Sequence, residues 1–284
     1  MYQAGLILEG GGMKGVYTAG VIDFFLDKGI EFSSVYGVSA GACSMASYLS
    51  KQRGRARAVC VDYVGDRRYC SLESLLTTGD LFNVEMNYHL VPEKLNPFDH
   101  QTFEKYEGKA YSIATDIVSG RPVYFRVRNM KTDITKIRAS ASLPLVSRNV
   151  KIGGGLYLDG GLSDSLPIQK SVMDGNRKNV VVMTKETGYV KRRTKRMMLL
   201  LARLRYWRYP KVTELMARRY RHYNEQAAYI ERLRRSGKAF VIRPKKSYGV
   251  GRVEQDKEKL NRLYRQGYQD AVDSYGKLME FLER

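Results

Sequence analysis

The sequence predicts an α/β fold: a three-layer α/β/α sandwich with a largely parallel central sheet. It opens with the pattern strand, glycine turn, helix, and it repeats that pattern at once, with strands at Leu6–Leu8 and Phe32–Val38. Such alternation is typical of a parallel sheet covered by helices. The β-branched run Val180–Met183 and the apolar run Ala239–Ile242 predict two further core strands. Because these strands come late, we expect the C-terminal part to complete the same sheet.

The other elements follow from periodicity and turn residues. Apolar residues at helical spacing predict helices after the two glycine turns, at 14–26 and 40–49. Alternating residues on either side of Gly120 predict a hairpin of strands 110–117 and 122–127. The remaining expectations are a helix at 131–140, two short strands within 150–158, a basic helical stretch at 190–235, a terminal helix at 254–284 and an unassigned stretch at 53–108.

The composition is that of a globular protein, with 43% hydrophobic and 27% charged residues. Cys43, Cys60 and Cys70 form no C-x-x-C pair, so neither a disulfide framework nor a structural zinc site is expected, and a reducing compartment fits best. The N-terminus lacks the basic and apolar regions of a signal peptide, and no apolar run approaches the roughly 20 residues of a membrane span. A cytoplasmic protein is therefore expected.

The net charge of +20 is unevenly distributed, with +3 in residues 1–172 and +17 in residues 173–284. Segment 191–235 alone carries 15 Lys and Arg residues, interleaved with Trp207 and several tyrosines. The apolar stripe expected along this segment is Val212, Leu215, Met216, Tyr220, Tyr223, Ala227, Ile230 and Leu233.

Three interpretations of this basic segment stay open. A basic amphipathic helix suits peripheral contact with an anionic membrane, here the inner membrane face. The same pattern also fits a solvated helix whose stripe packs in the core. Nucleic-acid binding is the third interpretation, but no recognised nucleic-acid motif accompanies the charges.

The first candidate catalytic motif is Gly37-Val-Ser39-Ala-Gly41, a G-x-S-x-G sequence at a predicted strand-to-helix junction. Glycines on both sides let the chain turn sharply, so the serine is exposed at the carboxyl end of the strand. Its Oγ then lies near the positive end of the following helix. The pentapeptide alone also fits a glycine-flanked turn with a structural serine.

The second motif is the glycine loop Gly10-Gly11-Gly12-Met13-Lys14-Gly15. The amides of such a loop converge and can bind an anion, which suits an oxyanion hole for acyl transfer. The loop also matches G-x-G-x-x-G, the phosphate cradle of dinucleotide-binding proteins. A dinucleotide site should show an acidic residue at the end of the second strand, whereas Glu31 precedes that strand. The P-loop is excluded because no Gly-Lys-Ser/Thr follows.

The third motif is Asp159-Gly160-Gly161, which follows a short predicted strand. Its carboxylate could accept a proton from the serine, although Asp-Gly pairs commonly only cap turns. The three histidines are weaker candidates for the base, since His89 and His100 precede Asp159 near loops and His222 lies in a basic helix. A serine hydrolase without a convincing histidine points to a Ser-Asp dyad.

These three motifs, in this order, resemble the patatin-like phospholipase family across residues 5–172. The segment Ala139–Pro144 is similar to the family's small-residue and proline segment, and Phe240–Pro244 resembles a bacterial subgroup. The resemblance implies a catalytic core at 5–172 and a C-terminal extension at 173–284 that holds a basic helical segment, 190–236. It places the family's dyad on Ser39 and Asp159, its oxyanion loop on Gly10–Gly15, and Lys14 at a position that is usually basic.

The expected reaction is hydrolysis of glycerolipid or other esters, with release of free fatty acid. Asp159 would accept the Ser39 proton, and amides of Gly11, Gly12 and Met13 would stabilise the oxyanion. No metal or other cofactor is expected, and activity should not require calcium. Two rivals remain: a nucleotide-dependent oxidoreductase that uses the glycine loop, and a membrane- or nucleic-acid-associated binding protein with a degenerate active site.

Overall fold

The computed structural model describes all 284 residues, and its eight strands form one sheet. The strands are β1 (Tyr2–Leu8), β2 (Phe32–Val38), β3 (Lys109–Asp116), β4 (Pro122–Val127), β5 (Val150–Ile152), β6 (Gly155–Asp159), β7 (Asn179–Val182) and β8 (Ala239–Ile242). Their order is β5-β6-β3-β2-β1-β7-β8, and β4 also pairs with β3. Strands β1, β2, β3, β7 and β8 run parallel, whereas β4, β5 and β6 join through antiparallel pairs. The predicted largely parallel sheet is confirmed.

Helices cover both faces of this sheet. They are α1 (Val16–Asp27), α2 (Ala40–Leu49), α3 (Arg55–Val61), α4 (Leu72–Thr78), α5 (His100–Glu104), α6 (Met130–Ala141), α7 (Ile168–Met173), α8 (Arg196–Arg205), α9 (Pro210–Arg235) and α10 (Lys257–Glu283). In β1, Leu6 and Leu8 join the larger core cluster while Ile7 joins the cluster on the other face. This alternation in a parallel sheet means that both faces are buried, which gives the expected three layers.

Helix α10 packs against α1 through an unusually close backbone approach. A Cβ on Gly20 would overlap with the Tyr264 carbonyl, and one on Gly267 would overlap with the Tyr17 carbonyl. The two glycines therefore let the helices meet over the face that contains the larger core cluster. None of the helices combines the length and the apolar character that a membrane span requires.

The basic stretch at 190–235 differs from its expectation in two ways. It is two helices, α8 and α9, separated at Tyr206–Tyr209, and Pro210 starts the second because its missing N–H is harmless there. Tyr220 is not part of the buried stripe: it lies among Arg193 and Arg221. Residues 53–108, unassigned from the sequence, hold α3, α4, α5 and a π-helix at Met86–Leu95.

Candidate active site

Ser39 stands at a tight turn between β2 and α2. Its backbone has φ 55° and ψ −124°, a strained conformation for a residue with a side chain. The flanking glycines are required by space, since a Cβ on Gly37 would lie 2.6 Å from Ala42 Cα and one on Gly41 would overlap with the Leu8 carbonyl. The turn therefore has the strand–turn–helix geometry that a G-x-S-x-G nucleophile requires.

Strand register brings Asp159 to the same place. Val38, the last residue of β2, pairs with Ile113 of β3, and Asp159, the last residue of β6, pairs with the next residue, Ala114. Because β4 occupies the opposite edge of β3, β2 and β6 lie end to end along one edge. Ser39 and Asp159 therefore leave the sheet side by side, although 120 positions separate them in the sequence.

The carboxylate of Asp159 is buried and only half engaged. Oδ1 accepts a hydrogen bond from the Gly161 amide at 2.7 Å, whereas the buried Oδ2 has no hydrogen-bond partner. A Cβ on Gly160 would overlap with the Ile113 carbonyl, which explains the first glycine of the motif. Ser39 and Asp159 do not hydrogen-bond directly, but both line one small polar cavity, with Oδ2 free to accept a proton.

The segment at the end of α6 contacts both candidates. The Ser39 amide donates a 2.8 Å hydrogen bond to Ser140 Oγ, and the Asp159 amide donates a 2.7 Å bond to the Ser142 carbonyl. This is the small-residue segment that the sequence singled out without a role. It ties the two motifs together, and Ser140 is a positioning residue that motif reasoning missed.

The glycine loop lies beside Ser39, with Gly10, Gly11 and Gly12 lining the same cavity. The amides of Gly10 and Gly11 donate to no protein acceptor. Met13 was expected to be an oxyanion donor, but its amide already donates to the Arg252 carbonyl at 3.0 Å. Met13 is therefore removed from the expected set of donors. Gly12 has a left-handed φ of 59° and faces the same carbonyl, so no Cβ fits there.

The last two positions of the loop lie in a 3₁₀ turn that leads into α1. Gly15 packs closely on α2, where an added Cβ would lie 2.8 Å from the Cβ of Ala40. Lys14 does not line the small cavity. Gly15 therefore positions the loop against α2, and neither residue lines a cavity beside Ser39.

Two cavities of opposite character meet at Ser39. The first, with a volume of about 150 Å³, is mainly apolar and is lined by residues such as Val59, Phe82, Tyr88, Val91 and Ile137. We call it the apolar cavity. The second, with a volume of about 30 Å³, is the small polar one that contains Asp159. Ser39 and Gly12 line both, so a molecule bound at Ser39 can extend into each.

Four basic side chains line the small cavity, and sequence reasoning predicted none of them. Lys185 and Lys191 come from the loop after β7, Arg219 from α9 and Arg252 from the loop before α10. We call these four residues the cation cluster. A signal was available for Arg219 alone, since it falls in the helical repeat of buried α9 residues, Val212, Met216, Tyr223, Gln226 and Ile230.

The histidines take no position that suits a general base for Ser39. His89 and His222 line neither cavity. His100 lines the apolar cavity, where burial lowers its pKa, and it makes no hydrogen bond to Ser39. Two carboxylates line the small cavity with Ser39, and Asp159 is the one with an oxygen that accepts no hydrogen bond, since both oxygens of Glu9 are occupied.

Comparison with known proteins places this geometry in a family. A family model described as patatin-like phospholipase matches residues 6–170, and one described as a domain of unknown function (DUF6363) matches residues 209–283. The uncharacterised protein YjjU of Escherichia coli is 30% identical over 184 residues, which are 63% of this chain and 51% of YjjU. The chain thus spans about half the length of that relative.

One further sequence relative and one solved structure are similar to this chain. The probable lipid hydrolase 463L of Invertebrate iridescent virus 6 is 25% identical over 206 residues, 63% of this chain and 66% of 463L. The crystal structure of VipD from Legionella pneumophila shares the fold, with a TM-score of 0.52 and 13% identity over 96% of this chain and 66% of VipD. The Ser39 turn, the glycine loop and the Asp159 turn all lie inside the matched region, and the chain belongs to the patatin-like phospholipase family.

Proposed function

We propose that this protein is a lipid acyl hydrolase of the phospholipase A, lysophospholipase or esterase type, with Ser39 as nucleophile and Asp159 as general base. The observation that carries the proposal is the strained backbone of Ser39, at the junction of the apolar cavity and the cavity that holds Asp159. Backbone strain of this kind persists where the surrounding structure enforces it, and it clusters at active sites.

The proposed reaction uses groups whose positions are described above. An acyl chain occupies the apolar cavity, so that its ester carbonyl lies at Ser39. As Ser39 Oγ attacks the carbonyl carbon, its proton passes to Asp159 Oδ2, the oxygen without a partner. Amides of Gly11 and Gly12 stabilise the oxyanion. The alcohol leaves with the proton from Asp159, and a water molecule activated by Asp159 then hydrolyses the acyl-serine to free fatty acid.

Hydrolysis of a short-chain p-nitrophenyl ester tests this assignment. We expect Ser39→Ala to lower kcat by about 10³-fold or more, because the covalent route is lost. Ser50→Ala is the matched control, since Ser50 is equally buried at the end of α2 but lines neither cavity. Retained turnover in the Ser39 variant would contradict the nucleophile assignment.

We also propose that the protein reaches its substrate by peripheral contact of α8 with an anionic membrane. Four large apolar side chains on or just after this helix are 53–69% exposed: Met197, Leu200, Leu204 and Trp207. Lys195, Arg196, Arg203, Arg205 and Arg208 lie beside them. Exposed apolar residues flanked by cations suit the interface of an anionic bilayer better than water or nucleic acid.

The domain boundaries follow from the same proposal. Residues 5–172 would form the catalytic core, and residues 173–284 an extension whose segments close the site. In support, Lys191, Arg219 and Arg252 of the second part reach the cavity that contains Ser39 and Asp159 of the first.

A further inference from the structure

The cation cluster places positive charge beside Ser39 and Asp159, although no step of the proposed reaction uses these four residues. The cavity holds four cationic side chains but only two carboxylates, Glu9 and Asp159. Both oxygens of Glu9 are occupied, one by the Tyr223 hydroxyl and the other by the Thr184 amide. None of the four cations forms a salt bridge.

The hydrogen-bonding capacity of these cations is almost entirely unused. The Nε atom of Arg219 is buried and has no partner. Lys185 Nζ donates only to the neighbouring Thr184 hydroxyl at 3.0 Å, and Lys191 Nζ lies 4.7 Å from the centre of the Tyr223 ring. Asp159 lies beside Arg219, yet cations outnumber carboxylates in the cavity. An excess of partly buried cations is unfavourable unless a ligand compensates it. The unused donors therefore indicate an anion that binds among them.

Titration behaviour agrees with this crowding of positive charge. Burial lowers the pKa of Lys185 and of Arg219, and burial together with the charges of Arg219 and Arg252 lowers the pKa of Lys191 to about 7. A bound anion would raise these pKa values again, because an opposite charge favours the protonated forms.

The position of the cluster relative to Ser39 limits what the anion can be. A Cβ on Gly161 would lie 2.7 Å from Arg219 Nη2 and 2.9 Å from Asp159 Oδ1, so the guanidinium lies beside the proposed base. The apolar cavity also reaches Ser39, and none of the four cations lines it. A molecule whose ester carbonyl is at Ser39 and whose acyl chain fills the apolar cavity would therefore place its alcohol portion among the cations.

Resting on the proposed function, we infer that the cation cluster binds the phosphate of the substrate's alcohol portion and so selects acyl esters of phosphorylated alcohols over neutral esters. Arginine guanidinium groups bind phosphate oxygens in a bidentate manner, and lysines add point charges. The selecting residues come from the loop after β7, from α9 and from the loop before α10, all of which lie outside the matched patatin-like region.

Two soluble esters with the same acyl chains test the inference: dihexanoylglycerol 3-phosphate and dihexanoylglycerol. The readout is the ratio of their kcat/KM values, which cancels any general loss of activity. We expect the wild type to favour the phosphate ester and Arg219→Gln to lower the ratio by about tenfold. The matched control is Arg218→Gln, the same change one residue earlier, where the side chain is 72% exposed and pairs with Glu214. An unchanged ratio in Arg219→Gln would overturn the inference.

A binding measurement removes the dependence on turnover and on the folding of the Arg219 variant. Sulfate is titrated calorimetrically into Ser39→Ala protein, with and without Arg252→Gln, a change at an exposed side chain whose backbone carbonyl is retained. We expect sulfate to bind and the added substitution to weaken binding several-fold. Absence of sulfate binding would overturn the anion site.

The outcomes separate the two proposals. If no ester is hydrolysed at all, the proposed function fails, whatever sulfate does. If both esters are hydrolysed with equal kcat/KM while sulfate still binds, the site belongs to a free anion and the assignment to the substrate's phosphate is overturned.

Discussion

At the scale of single residues, the site depends on groups that are held in position without being fully satisfied. Ser39 keeps a left-handed φ because two glycines and the Ser140 hydroxyl enforce it. Asp159 keeps one oxygen on the Gly161 amide and leaves the other without a partner. Such half-satisfied groups cost stability, and they are expected where a substrate or a proton completes the set.

The carboxylate role can be tested with Asp159→Asn. The new side-chain oxygen can still accept the Gly161 amide, so the turn should persist, but no group remains to accept the serine proton. We expect kcat to fall by about 10²–10⁴-fold with little change in thermal unfolding. The matched control is Asp164→Asn, since burial raises the pKa of Asp164 and that side chain accepts from Tyr124 and Gln226. Equal losses in both variants would argue for a structural role of Asp159.

The pH dependence of anion binding follows from Lys191. Burial and the charges of Arg219, Arg252 and Lys185, opposed by Glu9, together lower its pKa to about 7. Lys191 is therefore charged below pH 7 and becomes neutral above it, while sulfate keeps its charge. Sulfate affinity should fall about tenfold as the pH rises through and above 7. In Lys191→Arg the fall should be much smaller, and an equally steep fall there would assign the titration to another group.

Ser39, Asp159 and the glycine loop could be identified from motifs, because each depends on a local backbone conformation that requires glycines at fixed positions in the sequence. The cation cluster has no such local signature. Lys185, Lys191, Arg219 and Arg252 lie in separate segments, and only the sheet and α9 bring them together. In a chain with 49 Lys and Arg residues, composition alone could not distinguish these four from surface charges.

At the scale of elements, the decisive arrangement is the shared edge of β3. Strand β2 pairs along its first part and β6 along its last part, so the ends of two distant strands meet. The sequence predicted these strands but not their register. Periodicity shows on which face of the sheet a side chain lies, but it does not show which strands pair with each other. The break between α8 and α9 was missed for a related reason, since charge patterning continued across it.

Helix α8 carries the membrane prediction. The double substitution Leu200→Glu and Leu204→Glu should weaken binding to vesicles that contain phosphatidylglycerol by about tenfold or more. The reason is that the favourable free energy of moving two leucine side chains from water into the bilayer interface is lost. Little stability should be lost, since Leu200 is 53% and Leu204 66% exposed. Leu76→Glu, at an 86% exposed leucine of α4, is the control. Unchanged vesicle binding by the α8 variant would exclude this helix as the contact.

At the scale of the whole molecule, the chain combines two regions of different charge in one fold. The nearly neutral first part supplies Ser39, Asp159 and the apolar cavity, and the strongly basic second part supplies β8, α9, α10 and the cation cluster. The two regions share the sheet through the parallel pair of β1 and β7. The charge asymmetry seen in the sequence thus has two structural outcomes, exposed cations around α8 and a group of cations that lines the cavity beside Ser39.

The central claim is that Ser39 is the nucleophile of an acyl hydrolase. The most direct measurement is labelling with a fluorophosphonate, which forms a covalent adduct with an activated serine, followed by mass mapping of the modified peptide. The account predicts one adduct, on the peptide that contains Ser39, and its loss in Ser39→Ala. An adduct on a different serine, or ester hydrolysis that persists while Ser39 stays unmodified, would contradict it.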